Sequence, residues 1–347
     1  MRNVPGVERS RAVDEAGWVA ERLEPFDSGL VTSVVPGGFA AYARVLHPAE
    51  APRNGHGRTV RWAEVAEWSG VPLEADSQFH DIALPEREPG APAPWKSQGP
   101  EEGTLTADDA VALTEILRAH TAGSVRCWFC VWDGWGLDHS VTLTAASENH
   151  SIFRVHAGAR LPRPAPAPVR DEGPLVHLPG RDYQLYAGPV EAAAAFARSH
   201  GHTPNLWWPA DRAWCVASEI DLPWSYVGGP ATLIHDVLTD SRVEAMPARP
   251  DGNHHFRVRG WLADAIAAAT ARLLEAGQVT IETSRGTVHA ALRRPGRWAR
   301  GLLRISSHGK NGVSHSSGHD VKPAGEEELR REVELDLTLA VTGLVSG

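Results

Sequence analysis

Apolar residues recur along this chain at two spacings, and the change from one to the other marks out its elements. A spacing of three to four residues predicts helices over residues 12–23, 61–68, 106–120, 189–201, 231–238 and 260–276. Thr106-x-x-Asp109 opens the third of these in the manner of a capping box, and Gly70 and Gly201 stop the second and fourth. Alternation, or a short β-branched run, predicts strands over 30–35, 39–47, 124–136, 151–156, 183–187, 213–220, 279–283, 287–293 and 302–306. The stretch 71–103 reads as loop, and the Pro-rich 161–174 as an exposed extended loop. In the tail, Leu329, Val333 and Leu337 are spaced for a helix, while 333–341 also alternates as a strand would. Its Glu and Arg content favours the helix.

The Pro, Gly and Asn in 246–253 make that segment the expected linker, dividing the chain into a domain over 1–250 and a smaller one over 255–347. The expected fold class is α+β. A mixed or antiparallel sheet with covering helices is followed by a small C-terminal α/β two-layer unit. Two units also suit the length of 347 residues.

Composition narrows the function classes. With 42% hydrophobic and 22% charged residues, the chain matches ordinary soluble globular proteins and can bury a core. The formal net charge of −9 opposes nonspecific binding to nucleic acid by the protein as a whole. There are 31 arginines against 3 lysines, and the accompanying Ala, Gly and Pro richness reads as GC-rich coding rather than as a nucleic-acid signature. No membrane-length apolar window and no secretory signal are seen, so a cytoplasmic location is expected. Three cysteines are too few and too oddly numbered for a disulfide framework.

The chain holds 13 Trp, and four of them fall within the segment from Asn205 to Gly229. Trp207, Trp208, Trp214 and Trp224 are either a demanding core or the wall of a ligand site, because each buried indole brings a large apolar area and one N–H donor. As a binding surface, they would work with Arg212 and Tyr226. Glu219 and Asp221, one residue apart at the end of a strand, project to the same side and are the candidate catalytic pair, as acid and base or as oxygen ligands for a divalent cation. The competing structural use pairs a carboxylate with Arg212 and lets Asp221 cap the turn at Pro223. Tyr226 to Gly229 resembles a weak anion nest, although a plain strand-to-helix turn uses two glycines equally well.

Cys127-x-x-Cys130 has the spacing of a metal or redox pair, but on a strand residues three apart face opposite ways, so both read as small buried hydrophobes. From Thr283 to His319 there is no acidic residue. Arg293, Arg294, Arg297, Arg300 and Arg304 there form a candidate anion-binding face, with docking onto an acidic partner, or onto the chain's own acidic parts, as the favoured use. His308, His315, His319 and Asp320 in a Ser/Gly segment match no zinc spacing, so neither a metal nor a cofactor is expected.

The blocks WWPADRAW, EID and YVGG, with FAAYARVLHP and CWFCVWDGWG upstream, resemble a family of uncharacterised proteins of high-GC Gram-positive bacteria over about residues 39–244. The resemblance implies one coherent domain and brings no activity with it. The expectation is a ligand- or protein-binding module of unidentified partner and no membrane role. A hydrolase using Glu219 and Asp221, or an anion or nucleic-acid binder through the C-terminal arginines, stands as the alternative.

Overall fold

The computed structural model describes residues 4, 6–52, 58–86, 90–96, 99–122, 125–135, 173–255, 257–283, 285–294, 301–309, 314–321 and 325–345. The expected strand at 151–156 and most of the Pro-rich stretch lie outside them. Elements run in the order β1 (Glu8–Arg9), α1 (Gly17–Arg22), β2 (Ala41–Leu46), β3 (Ala49–Glu50), β4 (Thr59–Val60), α2 (Trp62–Ser69), α3 (Phe79–Ala83), α4 (Ala107–Ala119), β5 (Cys127–Trp132), β6 (Leu175–Leu178), β7 (Arg181–Gly188), α5 (Ala192–His200), β8 (Leu206–Pro209), β9 (Cys215–Ser218), β10 (Trp224–Gly229), α6 (Ala231–Thr239) and β11 (Ala245–Ala248). Then follow α7 (Gly260–Ala276), β12 (Gln278–Thr283), β13 (Gly286–Arg293), β14 (Gly301–Gly309), β15 (Ser314–Val321) and α8 (Glu326–Thr342). The fold is α+β.

The large sheet has the order β1-β7-β5-β8-β9-β10-β2-β11, with β6 also paired to β7, and the pairings among its described residues are antiparallel. Side chains alternate across it, and both faces are buried. Ala43, Val45, Cys127, Phe129, Trp207, Val216 and Val227 pack with the apolar stripes of α4, α5 and α6 on one face. Tyr42, Leu46, Trp128, Cys130, Trp208, Ala217 and Trp224 pack on the other with Trp18, Trp62 and Phe79. A sheet covered on both sides needs apolar residues at nearly every strand position, which is why its strands read as runs more than as clean alternation.

The second sheet, β12-β13-β14-β15, shares no strand with the first. α7 and α8 cover one face of it, through Ile266, Leu273, Leu329, Val333 and Leu337 against Val288, Ala290, Leu303 and Ile305. Its other face is exposed along β13, where Val288, Ala290 and Leu292 are buried and His289, Ala291 and Arg293 are not.

Local chemistry explains most boundaries. Thr106 accepts a hydrogen bond from the Asp109 amide at the start of α4, and Gly70, Gly201 and Gly277 take left-handed φ at the ends of α2, α5 and α7. Gly228 and Gly229 end β10 because a β-carbon there would meet Phe39 at 2.5 Å or Leu233 at 2.8 Å. They lie in a paired strand, so the anion nest considered for them is not formed.

Four expectations give way. The run 30–35 is a 3-10 turn over Val31–Ser33, whose valines are buried by packing while Ser33 donates back to the Leu30 carbonyl at 2.8 Å. The presumed loop 71–103 contains α3, which is closed by the Asp81 carboxylate accepting from the Gln78 amide at 2.8 Å and is too short and too uniformly buried to show a period. The presumed linker begins as β11, an edge strand beside β2, where Pro247 is tolerated because an edge need not donate on both sides. The Ser/Gly/His segment is a hairpin, β14 with β15, whose small polar residues carry no apolar alternation.

A buried polar chain locks the end of β2 to its neighbours. The Glu101 carbonyl can only accept, so His47 Nδ1 donates to it at 2.8 Å, which leaves Nε2 to accept from the Ser225 hydroxyl at 2.9 Å. The Ser218 hydroxyl then donates to Ser225 Oγ at 2.6 Å. Burial pushes the His47 pKa down to about 4, so the ring is neutral.

Candidate functional site

The four tryptophans do not form a binding wall. Trp207, Trp208 and Trp214 have no exposed surface, Trp224 is 3% exposed, and Tyr226 is likewise buried. Trp207 packs edge-on against Trp214 at 5.5 Å on one face of the sheet, and Trp208 packs against Trp18 at 5.9 Å on the other. These rings are core, and consecutive Trp207 and Trp208 serve opposite sides because strand side chains alternate.

Glu219 and Asp221 do reach the same side, and a single guanidinium takes both. Arg181, at the start of β7, donates from Nε and Nη2 to Glu219 and from Nη2 to Asp221 at 2.8 Å. Arg212, expected as the partner, instead sits exposed at φ 58 with its guanidinium 5.8 Å from the Trp18 ring. Burial raises the Glu219 pKa against the opposing pull of Arg181. The arrangement is a structural ion pair tying β7 to the turn after β9, and the turn itself closes through Leu222 N to Glu219 O rather than through an Asp221 cap.

Among the described residues, the C-terminal arginines divide between Arg294, which is engaged, and Arg293 and Arg304, which share the open face of the small sheet. Arg294 donates to the Leu274 carbonyl at the end of α7 and to both Glu326 oxygens at 3.1 Å, so it clasps the acidic start of α8. Arg293 and Arg304 are exposed, and Arg297 and Arg300 lie outside the described residues. No cluster of three metal-ligating side chains occurs among the described residues. Cys127 and Cys130 belong to opposite faces of the sheet, and burial raises both thiol pKa values, that of Cys127 to about 12.

The arrangement with chemical potential was not singled out from the sequence, and it centres on Arg44. In β2 the face carrying Tyr42 and Leu46 also carries Arg44, so an inward strand position is filled by a permanent cation. It is 4% exposed. Its guanidinium lies 4.8 Å from the Trp224 ring and 5.8 Å from the Trp62 ring. Nη2 donates to the Ser77 carbonyl at 2.8 Å, and Nε is sealed without an acceptor. No carboxylate among the described residues forms an ion pair with it. Burial pulls its pKa down to about 10, with the nearby Tyr226 and Asp76 opposing the shift.

Arg44 forms part of the lining of a cavity of about 510 Å³ together with Val31, Ala75, Tyr226, Ala248 and Arg257. The outer wall is a strap running from Arg249 into α7. Gln78 holds the strap with both ends of its amide, donating to the His255 carbonyl at 2.6 Å and accepting from the Arg257 amide at 3.3 Å. His80 bonds the Arg257 carbonyl at 2.6 Å, and Trp261 Nε1 donates to the Leu84 carbonyl at 2.9 Å. On the inner side, Val31 N donates to Gly252 O and His254 N to Gly29 O. At the rim, Arg257 and Arg259 share Asp76, Arg259 also reaches Glu74, and Arg249 pairs with Asp251. The rim cations are thus matched by carboxylates and the inner one is not.

The one available signal was an arginine where the alternation of FAAYARVLH calls for an apolar side chain. In comparisons with known proteins, no family model, curated protein or solved structure matches the chain.

Proposed function

We propose that this protein is a binding module for a small organic anion, held in the cavity beside Arg44. The observation that carries this reading is the buried guanidinium without a carboxylate. Withdrawing a cation from water costs several kcal/mol unless an opposite charge accompanies it, and ring faces and one carbonyl return only part of that. A bound anion would complete the pairing, and Val31, Ala75, Tyr226 and Ala248 would cover its apolar body. The tryptophans support the site from behind, with Trp62 and Trp224 fixing the guanidinium. Glu219 and Asp221, engaged by Arg181, do not favour a hydrolase.

Titration calorimetry with phenylacetate and with phenyl phosphate tests the reading. Saturable binding of either anion that Arg44→Met abolishes would support it. If neither anion binds the native protein, the reading fails.

A further inference from the structure

We infer that the ligand of this cavity is a monocarboxylic acid with a compact apolar body, in preference to a phosphate ester. This rests on the proposed anion site and follows from the pairing of charges around it. Arg249 is matched by Asp251, and Arg257 and Arg259 by Asp76 and Glu74. Each of these ion pairs sums to zero. Arg44 is therefore the one of these cations without a carboxylate in ion-pair contact, and the charges of Asp76 and Asp81, which also act on it, oppose a ligand that carries more than a single negative charge.

A phosphate monoester at pH 8 carries close to two charges, since its second ionisation lies near pH 6. The second would have to be desolvated without a partner, or would have to take an arginine away from Asp76 or Asp251. Both routes cost binding energy that a carboxylate does not spend.

The donor geometry agrees. Trp224 and Trp62 pack beside the guanidinium, and Nη2 already serves Ser77 and Nε is sealed. Nη1 and the second N–H of Nη2 are left for a ligand, a single two-nitrogen edge that suits one planar carboxylate. Polyphosphate sites have a different character, built from several free cations or a run of backbone amides. Val31, Ala75, Pro247 and Ala248 give the lining an apolar side for a ring or a branched chain, while Asp76, Arg249, Asn253, His255 and Arg257 make up its polar side.

The test is a matched series that shares one ring: phenylacetate, phenylacetamide and phenyl phosphate, titrated at pH 8 into the full chain. Phenylacetate is expected to bind at least ten-fold more tightly than either of the others. Binding should be lost in Arg44→Met and weakened in Ala248→Phe, which narrows the cavity and leaves Arg44 in place. Far-ultraviolet circular dichroism of both variants establishes that they are folded. Phenyl phosphate binding as tightly as phenylacetate, with the same dependence on Arg44, would overturn the inference and leave the anion site standing. Equal binding of phenylacetamide and phenylacetate, or no binding of any of the three, would remove the anion site together with the inference. Undiminished phenylacetate binding to a folded Ala248→Phe would place the ligand elsewhere and overturn both.

Discussion

Replacing Arg44 by Met should leave the ligand-free protein as stable as before or make it more stable, even though the side chain is almost wholly buried. A guanidinium pulled from its ordinary range down to about 10 is penalised in the folded state by about 3 kcal/mol at neutral pH, at about 1.4 kcal/mol per pKa unit. The sign follows from linkage. The folded pKa lies below the unfolded one, so the contribution to stability is present above the ordinary guanidinium pKa and is lost as pH falls through 10. At pH 7 the full penalty is in force. Cation–π contact with Trp224 and Trp62 returns about 1 to 2 kcal/mol, and the bond to Ser77 about 1 kcal/mol. Methionine gives up both but removes the penalty, and its thioether packs well against the same rings. The balance is a change between zero and about 1 kcal/mol in favour of the variant, in keeping with the neutral or stabilising outcome of replacing buried ions by apolar residues. The assay is urea unfolding of both proteins at pH 7, comparing midpoints at equal slope. If Arg44 were instead one half of a satisfied buried ion pair, removing it would cost about 3 to 5 kcal/mol. A loss of that size would refute the claim that its charge is unmatched.

Three further outcomes are expected. Glu219→Gln should lower stability by about 1 to 2 kcal/mol because it turns a buried charge-assisted bond from Arg181 into a neutral one, whereas Asp221→Asn, with the Asp221 side chain 71% exposed, should cost under about 1 kcal/mol; equal effects in urea unfolding would show that the two acids are not divided in this way. Stability should fall on acidification from pH 7, because His47, at about 4 when folded against 6.5 when unfolded, favours the native state only while neutral. The loss from this group is about 2 kcal/mol at pH 5, and a His47→Gln variant whose decline from pH 7 to 5 is as steep as the parent's would count against it. Cys127, Cys130 and Cys215 are buried, with thiol pKa values raised by burial. A thiol-specific chromogenic reagent at pH 8 should label them only at the rate of unfolding, and rapid labelling of the native protein would contradict that burial.

Elements with a strong period or an explicit cap were legible in the sequence. α7 spans the residues its spacing marks, and Thr106 caps α4 as its spacing to Asp109 implies. Elements made by packing were not. Val31 to Val35 look like a strand because valine suits strands, yet the buried surface holds them as a turn with no partner strand. β15, built of Ser, His and Gly, resembles a loop because its pairing lies in the backbone. The same distinction applies to the site. Glu219 and Asp221 share a side, as their spacing requires, but Arg181 comes from β7, and no local pattern pointed to a residue 38 positions away. Trp207 and Trp208 could not be assigned to core or cleft without knowing that both faces of the sheet are covered. Arg44 was visible as a break in alternation, although its lack of a carboxylate in ion-pair contact emerged only in three dimensions.

The strap beside Arg44 is also the stretch of polypeptide that leads from the last strand of the large sheet into the helix covering the small one. Gln78, His80 and Leu84 hold its outer side through bonds to main chain and to a single indole, and beneath it the ladder is reduced to one antiparallel bridge, Leu30 with Asn253. Such attachments let go one at a time, where a ladder resists as a unit. An acid lodged against Arg44 would press on the inner side of this junction. Part of its binding energy would then stiffen the coupling between the two halves of the molecule, so that filling a cavity in one sheet would be felt by the other.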